Sequence, residues 1–197
     1  MNRETLFTYV LAIFVILVAS KMFLDSEAFN LKCIVSNENG NTYCVREREK
    51  IHEVVDLLAK TSDKMEELIQ KLKEKYPERN NVKRLVKKCN PKKIMETLPT
   101  SKYTAYSENK GEKMAFCVTT QKDNTTLIDE NTLFFVAMHE MAHVCTVSIG
   151  HNEEFWNNFR FLIYNAKEFG IYHPENYREN PKPYCGMKIS DNPYYDM

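Results

Sequence analysis

The chain has 197 residues, enough for one domain with a sizeable core and short appendages. Lysine and arginine together number 27, as do aspartate and glutamate, so the formal net charge at pH 7 is zero. That balance excludes a general electrostatic attraction to nucleic acid or to an anionic membrane and leaves only local charge to consider. The length leads us to expect a single folded unit.

The N-terminal segment departs from this average composition. Residues 5–20 read TLFTYVLAIFVILVAS without a charged side chain, and three more apolar residues follow Lys21. The length is at the low end for a membrane-spanning helix, which needs about 17 to 25 residues, and it also suits the apolar region of a signal peptide. Because Arg3 is offset by Glu4, the positive region of a signal peptide is thin, and an uncleaved anchor over residues 1–24 is favoured.

Six cysteines, an even number, are compatible with disulfides in an oxidising compartment, and the sequence leaves their pairing open. Cys33 and Cys44 flank the turn signal Asn39-Gly40, so a hairpin would bring these two sulfur atoms together. Residues 25–46 are therefore predicted to be a hairpin and linker. The cysteines do not have the CxxC spacing of a zinc ribbon, so metal ligands are sought among the histidines.

A long amphipathic helix is predicted over residues 48–76, where apolar side chains recur at alternating spacings of four and three. Its apolar stripe is wide enough to pack on a globular domain. Pro77 ends this helix, and short helices are predicted over residues 82–88 and 90–95. The basic run at residues 83–93 is interpreted as the solvated face of a helix, although such a run also suits phosphate groups.

The sequence then becomes rich in aromatic and β-prone residues. The runs KYTAY and EKMAFCVTT are separated by a glycine-containing turn and predict an antiparallel hairpin. Asp129 or Asn131 caps a helix predicted over residues 132–146, which is apolar on nearly every face and must be central and buried. A second helix is predicted after Gly150, and the remainder from Tyr172 is predicted to be an ordered loop over the core.

The predicted buried helix contains the sequence HEMAH. Histidines four residues apart point the same way, so His139 and His143 would each present a ring nitrogen to one metal ion. Glu140 would lie beside the metal, where its carboxylate accepts a proton from water that zinc activates. Three ionisable side chains in an apolar helix are costly unless something compensates them, and zinc does so.

A catalytic zinc ion needs a third protein ligand and an open fourth position. His151 is the expected third ligand because Gly150 lets the chain turn back directly after the helix. Glu154 and His173 are the alternatives. The sequence therefore predicts a zinc site made of three histidines, with Glu140 as the general base.

The segment HEMAHVCTVSIGHNEEFW resembles the active-site region of small zinc metallopeptidases of the WLM and SprT-like kind. In that pattern, HExxH is followed by a loop, a third histidine and a Phe or Trp. The flanking sequences NKGEKMAFC and NPKPYCGM resemble metallopeptidases of large DNA viruses that carry an N-terminal membrane segment. The resemblance extends from about Tyr43 to Pro193, and the seven residues between His143 and His151 are more than the WLM pattern has.

The resemblance implies one zinc ion held by His139, His143 and His151, with Glu140 as the base. It also implies an α+β, zincin-like domain over residues 47–197, with a small antiparallel sheet and a buried HExxH helix. The implied activity is hydrolysis of peptide bonds in a protein or peptide, by a single-pass protein of a viral or host membrane.

Other parts of such a site are predicted with the same reasoning. The strand at residues 114–119, before the active-site helix, would pair with an extended substrate backbone by strand addition. A hydrogen-bond donor is needed for the oxyanion that forms during hydrolysis, and Tyr184 is the first choice. Tyr172, His173 and Arg178 are the other candidates, and packing is an alternative role for Tyr184.

Two other functions are compatible with the same residues. One is a membrane-anchored interaction protein in which zinc braces the fold and the helix at residues 51–76 binds a partner. The other is a DNA-associated peptidase, as some relatives of the WLM and SprT-like kind are, in which residues 83–93 bind DNA. The zero net charge and the membrane segment argue against a nucleic-acid partner.

Overall fold

A computed structural model gives the fold over residues 3–24, 31–98, 100–122 and 126–196, which are the described part of the chain. It combines helices with a five-stranded sheet and a separate hairpin, so the predicted α+β class is confirmed. The elements in chain order are α1 (Arg3–Leu24), β1 (Leu31–Val35), β2 (Thr42–Arg46), α2 (Ile51–Lys75), α3 (Asn80–Lys88), β3 (Ile94–Glu96), β4 (Ala105–Glu108), β5 (Lys113–Phe116), α4 (Glu130–Cys145), α5 (Glu153–Glu168), β6 (Lys182–Tyr184), β7 (Met187–Ile189) and a 3-10 helix at Pro193–Asp196.

The apolar N-terminal segment forms helix α1. Its stretch Thr5–Met22 has a mean hydropathy of 2.0, and none of it is buried against the rest of the protein. A helix of this length and composition can cross a membrane. A signal sequence near an N-terminus has the same character, so both predictions for this segment stand.

Strands β1 and β2 form the predicted hairpin. Cys33 lies directly opposite Cys44 in the antiparallel register, and the two are joined by a disulfide, which confirms the predicted pairing. The turn between the strands contains Gly40, whose φ of 71° lies in the left-handed region that glycine adopts without steric cost.

The main sheet is mixed, with the strand order β1-β2-β3-β5-β4. The outer pairs, β1 with β2 and β4 with β5, are antiparallel, whereas β3 is parallel to both of its neighbours. The prediction of a small antiparallel sheet is therefore wrong for its centre. Helices α2 and α3 connect β2 to β3, and a crossover of that kind returns the chain in the same direction and makes the pair parallel.

Strand β3 stands where the sequence predicts a short helix over residues 90–95, and that prediction is wrong. Contacts across the sheet decide the conformation, because Ile94 is in the core and Glu96 is fully buried. The Glu96 carboxylate accepts the backbone N–H of Arg46 at 2.8 Å and its guanidinium Nε at 2.6 Å, and Arg48 also pairs with it. The hairpin predicted as a linker thus supplies two of the five strands.

Helix α2 is the predicted long amphipathic helix, and it packs on β2 and α4. Pro77 follows its C-cap residue Tyr76. One face of the helix lies in the core and carries the buried side chains of Val54, Val55, Leu58, Ala59, Met65, Leu68 and Leu72. The periodic pattern in the sequence therefore marks a face that covers the domain, as an apolar stripe of this width indicates.

Helix α3 carries most of the basic run at residues 83–93. Acidic side chains balance part of that charge, since Lys83 pairs with Glu78 at 2.7 Å and Lys92 lies 3.6 Å from Glu66. Arg84 points towards the end of α4 rather than to solvent alone, with 28% of its side chain exposed.

Helix α4 is central and buried, as predicted. Asp129 caps it, and its carboxylate accepts the backbone N–H of Thr132 at 2.9 Å and the hydroxyl of the same residue at 2.8 Å. Apolar side chains on nearly every face of α4 are enclosed by α2, α3, α5 and strands β4 and β5. Helix α5 adds Phe155, Phe159 and Leu162 to this core.

The C-terminal segment is more regular than the predicted loop. Strands β6 and β7 form a hairpin whose turn residues Cys185 and Gly186 have φ values of 51° and 82°. Cys185 is joined to Cys117, just after β5, by a second disulfide. The sequence did not predict this hairpin, because Cys-Gly is not among the usual two-residue turn signals.

Candidate metal centre

His139 and His143 lie one turn apart near the end of α4 and direct their rings to the same side of the helix. The ring centroids are 5.1 Å apart. Side chains four residues apart on a helix lie one above the other, so this arrangement follows directly from the sequence spacing. Beyond the first turn of α4, His139 and His143 are the residues of the helix that are half-buried rather than buried.

His151 reaches the same point from the loop that follows α4. Its Nε2 lies 3.0 Å from Nε2 of His139 and 3.1 Å from Nε2 of His143. Gly150, with a φ of 86°, allows the reversal that brings His151 back. Among the described residues, the cluster that can hold a metal ion consists of these three histidines, and it includes neither Glu154 nor His173.

The two nitrogen distances from His151 suit a shared zinc ion. Nitrogens bound tetrahedrally to one zinc at about 2.0 to 2.1 Å lie roughly 3.3 Å from one another. A neutral imidazole nitrogen carries either one N–H or one lone pair, so a single proton on Nε2 of His151 cannot satisfy both of its close neighbours. A cation between three lone pairs satisfies all of them, so the residues present suit the metal that the sequence predicts.

The surroundings keep the rings in the form that binds a metal. Burial, reinforced by His143 and His151, lowers the pKa of His139 to about 3. Burial, with His151 and Lys110 nearby, lowers the pKa of His143 to about 4. Both rings are therefore neutral at pH 7, with a lone pair free for a ligand bond.

The ring of Phe155, in the first turn of α5, packs against all three histidine rings. Its ring centroid lies 4.8 Å from that of His139, 4.3 Å from that of His143 and 4.6 Å from that of His151. Such packing restricts the rotamers of all three rings. The sequence placed Phe155 on the helix predicted after Gly150 and in the Phe or Trp position of the resembling pattern, but neither signal shows which side chains its ring touches.

Glu140 follows His139 on α4 and lines the same cleft as the three histidines. Only 7% of this residue is exposed, and burial raises the pKa of its carboxyl group to about 7. A carboxyl group with a pKa near neutrality can accept a proton and return it at little cost.

The cleft in front of the histidines has a volume of about 770 Å³. Strand β4 borders it on one side, and the loop at residues 148–151 borders it on the other. The predicted substrate-pairing strand at residues 114–119 is wrong, because β3 and β4 already occupy both edges of β5. β4 is the edge strand beside the cleft, and its outer backbone groups are the ones available for strand addition.

Tyr184 also lines the cleft, and only 2% of it is exposed. Its hydroxyl donates a hydrogen bond to the backbone carbonyl of Thr104, 3.0 Å away. Burial and the nearby Glu140 raise the pKa of Tyr184, so the hydroxyl keeps its proton and remains a donor. The Cys117–Cys185 disulfide anchors the hairpin that carries Tyr184.

The other predicted oxyanion donors do not line the cleft. Tyr172 is buried in the core. Arg178 forms ion pairs with Asp191 at 2.8 Å and with Asp196 at 2.6 Å. His173 is held through its backbone N–H and carbonyl oxygen. The tertiary structure thus leaves Tyr184 as the one of the four candidates beside Glu140.

No family model matches the chain, but three viral proteins are similar to it. An uncharacterised protein of Acanthamoeba polyphaga mimivirus is 28% identical over 196 residues, which cover 94% of this chain and 98% of that protein. An uncharacterised protein of Invertebrate iridescent virus 6 is 31% identical over 38% of this chain and 41% of its own length. One of Invertebrate iridescent virus 3 is 39% identical over 30% of this chain and 36% of its own.

Among solved structures, the chain is similar to Wss1 from Saccharomyces cerevisiae. The TM-score is 0.46 at 14% identity, and the match covers 64% of this chain and 89% of Wss1. A Wss1 mutant gives the same TM-score and identity, with 65% of this chain and 92% of the mutant chain covered. The predicted relationship to proteins of large DNA viruses is confirmed by the three viral relatives.

We expect the full chain, purified in detergent, to bind one zinc ion per molecule. Changing His139, His143 or His151 to alanine removes a ligand atom. Loss of a residue that only hydrogen-bonds to a ligand weakens metal binding roughly 10- to 100-fold, and we expect each alanine variant to weaken zinc binding by more than that. Competition with a chromophoric chelator measures the affinity. His173→Ala is the matched control, and a loss as large as that of His151→Ala would contradict the assignment.

Proposed function

We propose that this protein is a zinc-dependent peptidase. The observation that carries the proposal is the convergence of three histidine Nε2 atoms beside Glu140, in a cleft bordered by the free edge of a sheet. Three protein nitrogens leave a fourth position of a tetrahedral zinc ion open, which is the arrangement of catalytic rather than structural zinc. An open cleft next to a sheet edge suits an extended polypeptide.

The residues of the chain have distinct roles in this reaction. When bound, zinc supplies the Lewis acidity that polarises a carbonyl group and makes water a stronger nucleophile. Glu140 accepts a proton as the oxygen of water attacks the carbonyl carbon of the peptide bond. When the carbon–nitrogen bond breaks, Glu140 returns that proton to the leaving amine, so the products are a carboxylic acid and an amine.

Substrate binding is proposed at strand β4. Residues 105–107 line the cleft and belong to the edge strand, so we propose that the N–H and C=O groups on their outer edge pair with an extended backbone. Such pairing holds the substrate along the cleft without reading its sequence. The proposed substrate is therefore a protein or a peptide. A nucleic-acid partner is not proposed, because a chain with zero net charge has no general attraction to phosphate groups.

Glu140→Gln is expected to lower the rate of peptide cleavage by at least about 10²-fold, because the amide cannot accept the proton. Zinc content should stay at the parental level, since Glu140 is not one of the ligands. Cleavage of an unstructured protein by the purified chain measures the rate, and Glu153→Gln, an exposed carboxylate on α5, is the control. A Glu140→Gln variant that cleaves as fast as the parent would exclude the mechanism.

Tyr184 is proposed as the donor to the oxyanion. Tyr184 lines the same cleft as Glu140, which is near enough to raise its pKa, and its hydroxyl is a donor that could exchange the Thr104 carbonyl for the oxyanion. Tyr184→Phe is therefore expected to lower kcat by about 10²-fold with little change in KM. A melting temperature that falls while kcat is unchanged would assign Tyr184 to packing instead.

We propose that α1 anchors the domain to a viral or host membrane as a single-pass helix. Its apolar stretch, none of which is buried in the folded domain, supports this location. The disulfides Cys33–Cys44 and Cys117–Cys185 support an oxidising environment around the domain.

An anchored protein should remain in the membrane pellet after extraction at alkaline pH, with residues 1–24 still attached. Replacing Leu11 and Val15 with arginine should release it, because each charge at the centre of a helix costs about 2.5 to 3.5 kcal/mol on insertion scales. Mass spectrometry of the mature chain is the second measurement. Secretion of a shorter form that lacks the apolar segment would show that the segment is a cleaved signal peptide.

A further inference from the structure

The loop that carries His151 is held at its base by a carboxylate from the next helix. Glu154, in the first turn of α5, accepts the backbone N–H of Val147 at 3.0 Å and that of Ser148 at 3.1 Å. It also accepts the Ser148 hydroxyl at 2.6 Å. The Ser148 hydroxyl and the two backbone bonds together lower the pKa of Glu154 to about 2, so the carboxylate is charged at neutral pH.

The same loop is closed on itself. Nδ2 of Asn152 donates to the hydroxyl oxygen of Ser148 at 2.7 Å, and Oδ1 of Asn152 accepts the N–H of Phe155 at 3.1 Å as the cap of α5. The hydrogen bond between Asn152 and Ser148 therefore closes residues 148–152 into a compact loop that includes His151. The side chain of Phe155, beneath all three histidines, belongs to the same turn of α5.

Two cationic side chains hold the segment that joins the end of α4 to this loop. Arg84 donates from Nε to the carbonyl oxygen of Cys145 at 2.6 Å, and its Nη2 lies 3.5 Å from the Glu154 carboxylate. Lys110 donates to the carbonyl oxygens of Thr146 and Val147 at 3.2 and 2.9 Å. Positive charge at the C-terminus of a helix is favourable. These contacts connect α4, which carries His139 and His143, to the loop that carries His151.

We infer that Glu154 is a positioning residue for the third zinc ligand, and this inference rests on the metal site of the proposed function. Its two oxygens are engaged by the loop, so it acts on the metal through His151 rather than as a ligand. Holding the loop before zinc arrives removes the conformational entropy that ordering it would otherwise cost on binding. Partners that orient metal ligands typically contribute about 10- to 100-fold to metal affinity.

The test is a double-mutant cycle on zinc affinity, measured with the full chain in detergent by competition with a chelator. Glu154→Ala alone is expected to weaken zinc binding about 10- to 100-fold. In a His151→Ala background the same change is expected to alter the affinity less than about twofold, because the ligand that it positions is gone. Glu154→Gln keeps one acceptor oxygen and should fall between the parent and Glu154→Ala.

Glu153→Ala is the matched control, since Glu153 is an acidic residue of the same helical turn and makes none of these loop bonds. The absorption spectrum of the cobalt-substituted protein gives an independent signal, and Glu154→Ala should shift it towards that of His151→Ala. Equal weakening by Glu154→Ala in both backgrounds, or no more weakening than Glu153→Ala causes, would overturn the inference. Tight zinc binding without peptide cleavage would remove the proposed function and leave this inference intact.

Discussion

The need to bury α4 explains how the other elements of the domain are arranged. A helix that is apolar on nearly every face has to be enclosed, and α2, α3, α5 and the sheet are arranged around it. Beyond its first turn, the part of α4 that is not enclosed is the side with His139 and His143. The fold thereby places two imidazoles and the Glu140 carboxylate at the boundary between a dry interior and a solvent-filled cleft.

That boundary determines the chemistry of the groups on it. Loss of water disfavours the charged form of each group, which keeps the rings of His139 and His143 neutral and raises the pKa of Glu140. Neutral imidazoles are metal ligands, and a carboxyl group near neutrality is a proton carrier. One physical cause, desolvation, therefore suits the histidine cluster to a metal ion and Glu140 to its proposed role as general base.

The remaining parts of the site come from segments outside α4, and specific contacts hold each of them in place. The Cys117–Cys185 disulfide, across a separation of 68 residues, fixes the hairpin that presents Tyr184. Glu154 and Arg84 fix the loop that presents His151. Strand β4 is held by β5 on one side, and among the described strands none pairs with its other edge, beside the cleft.

Local sequence patterns were enough to predict four features: the His139–Glu140–His143 set, the amphipathic face of α2, the Cys33–Cys44 hairpin and the apolar α1. Helical spacing and a two-residue turn signal are short-range properties that a single sequence displays. The tertiary structure alone decided that the sheet is mixed and that β4, not β5, borders the cleft. Those features depend on pairing between segments distant in the chain, whose energies come from contacts that local sequence patterns do not record.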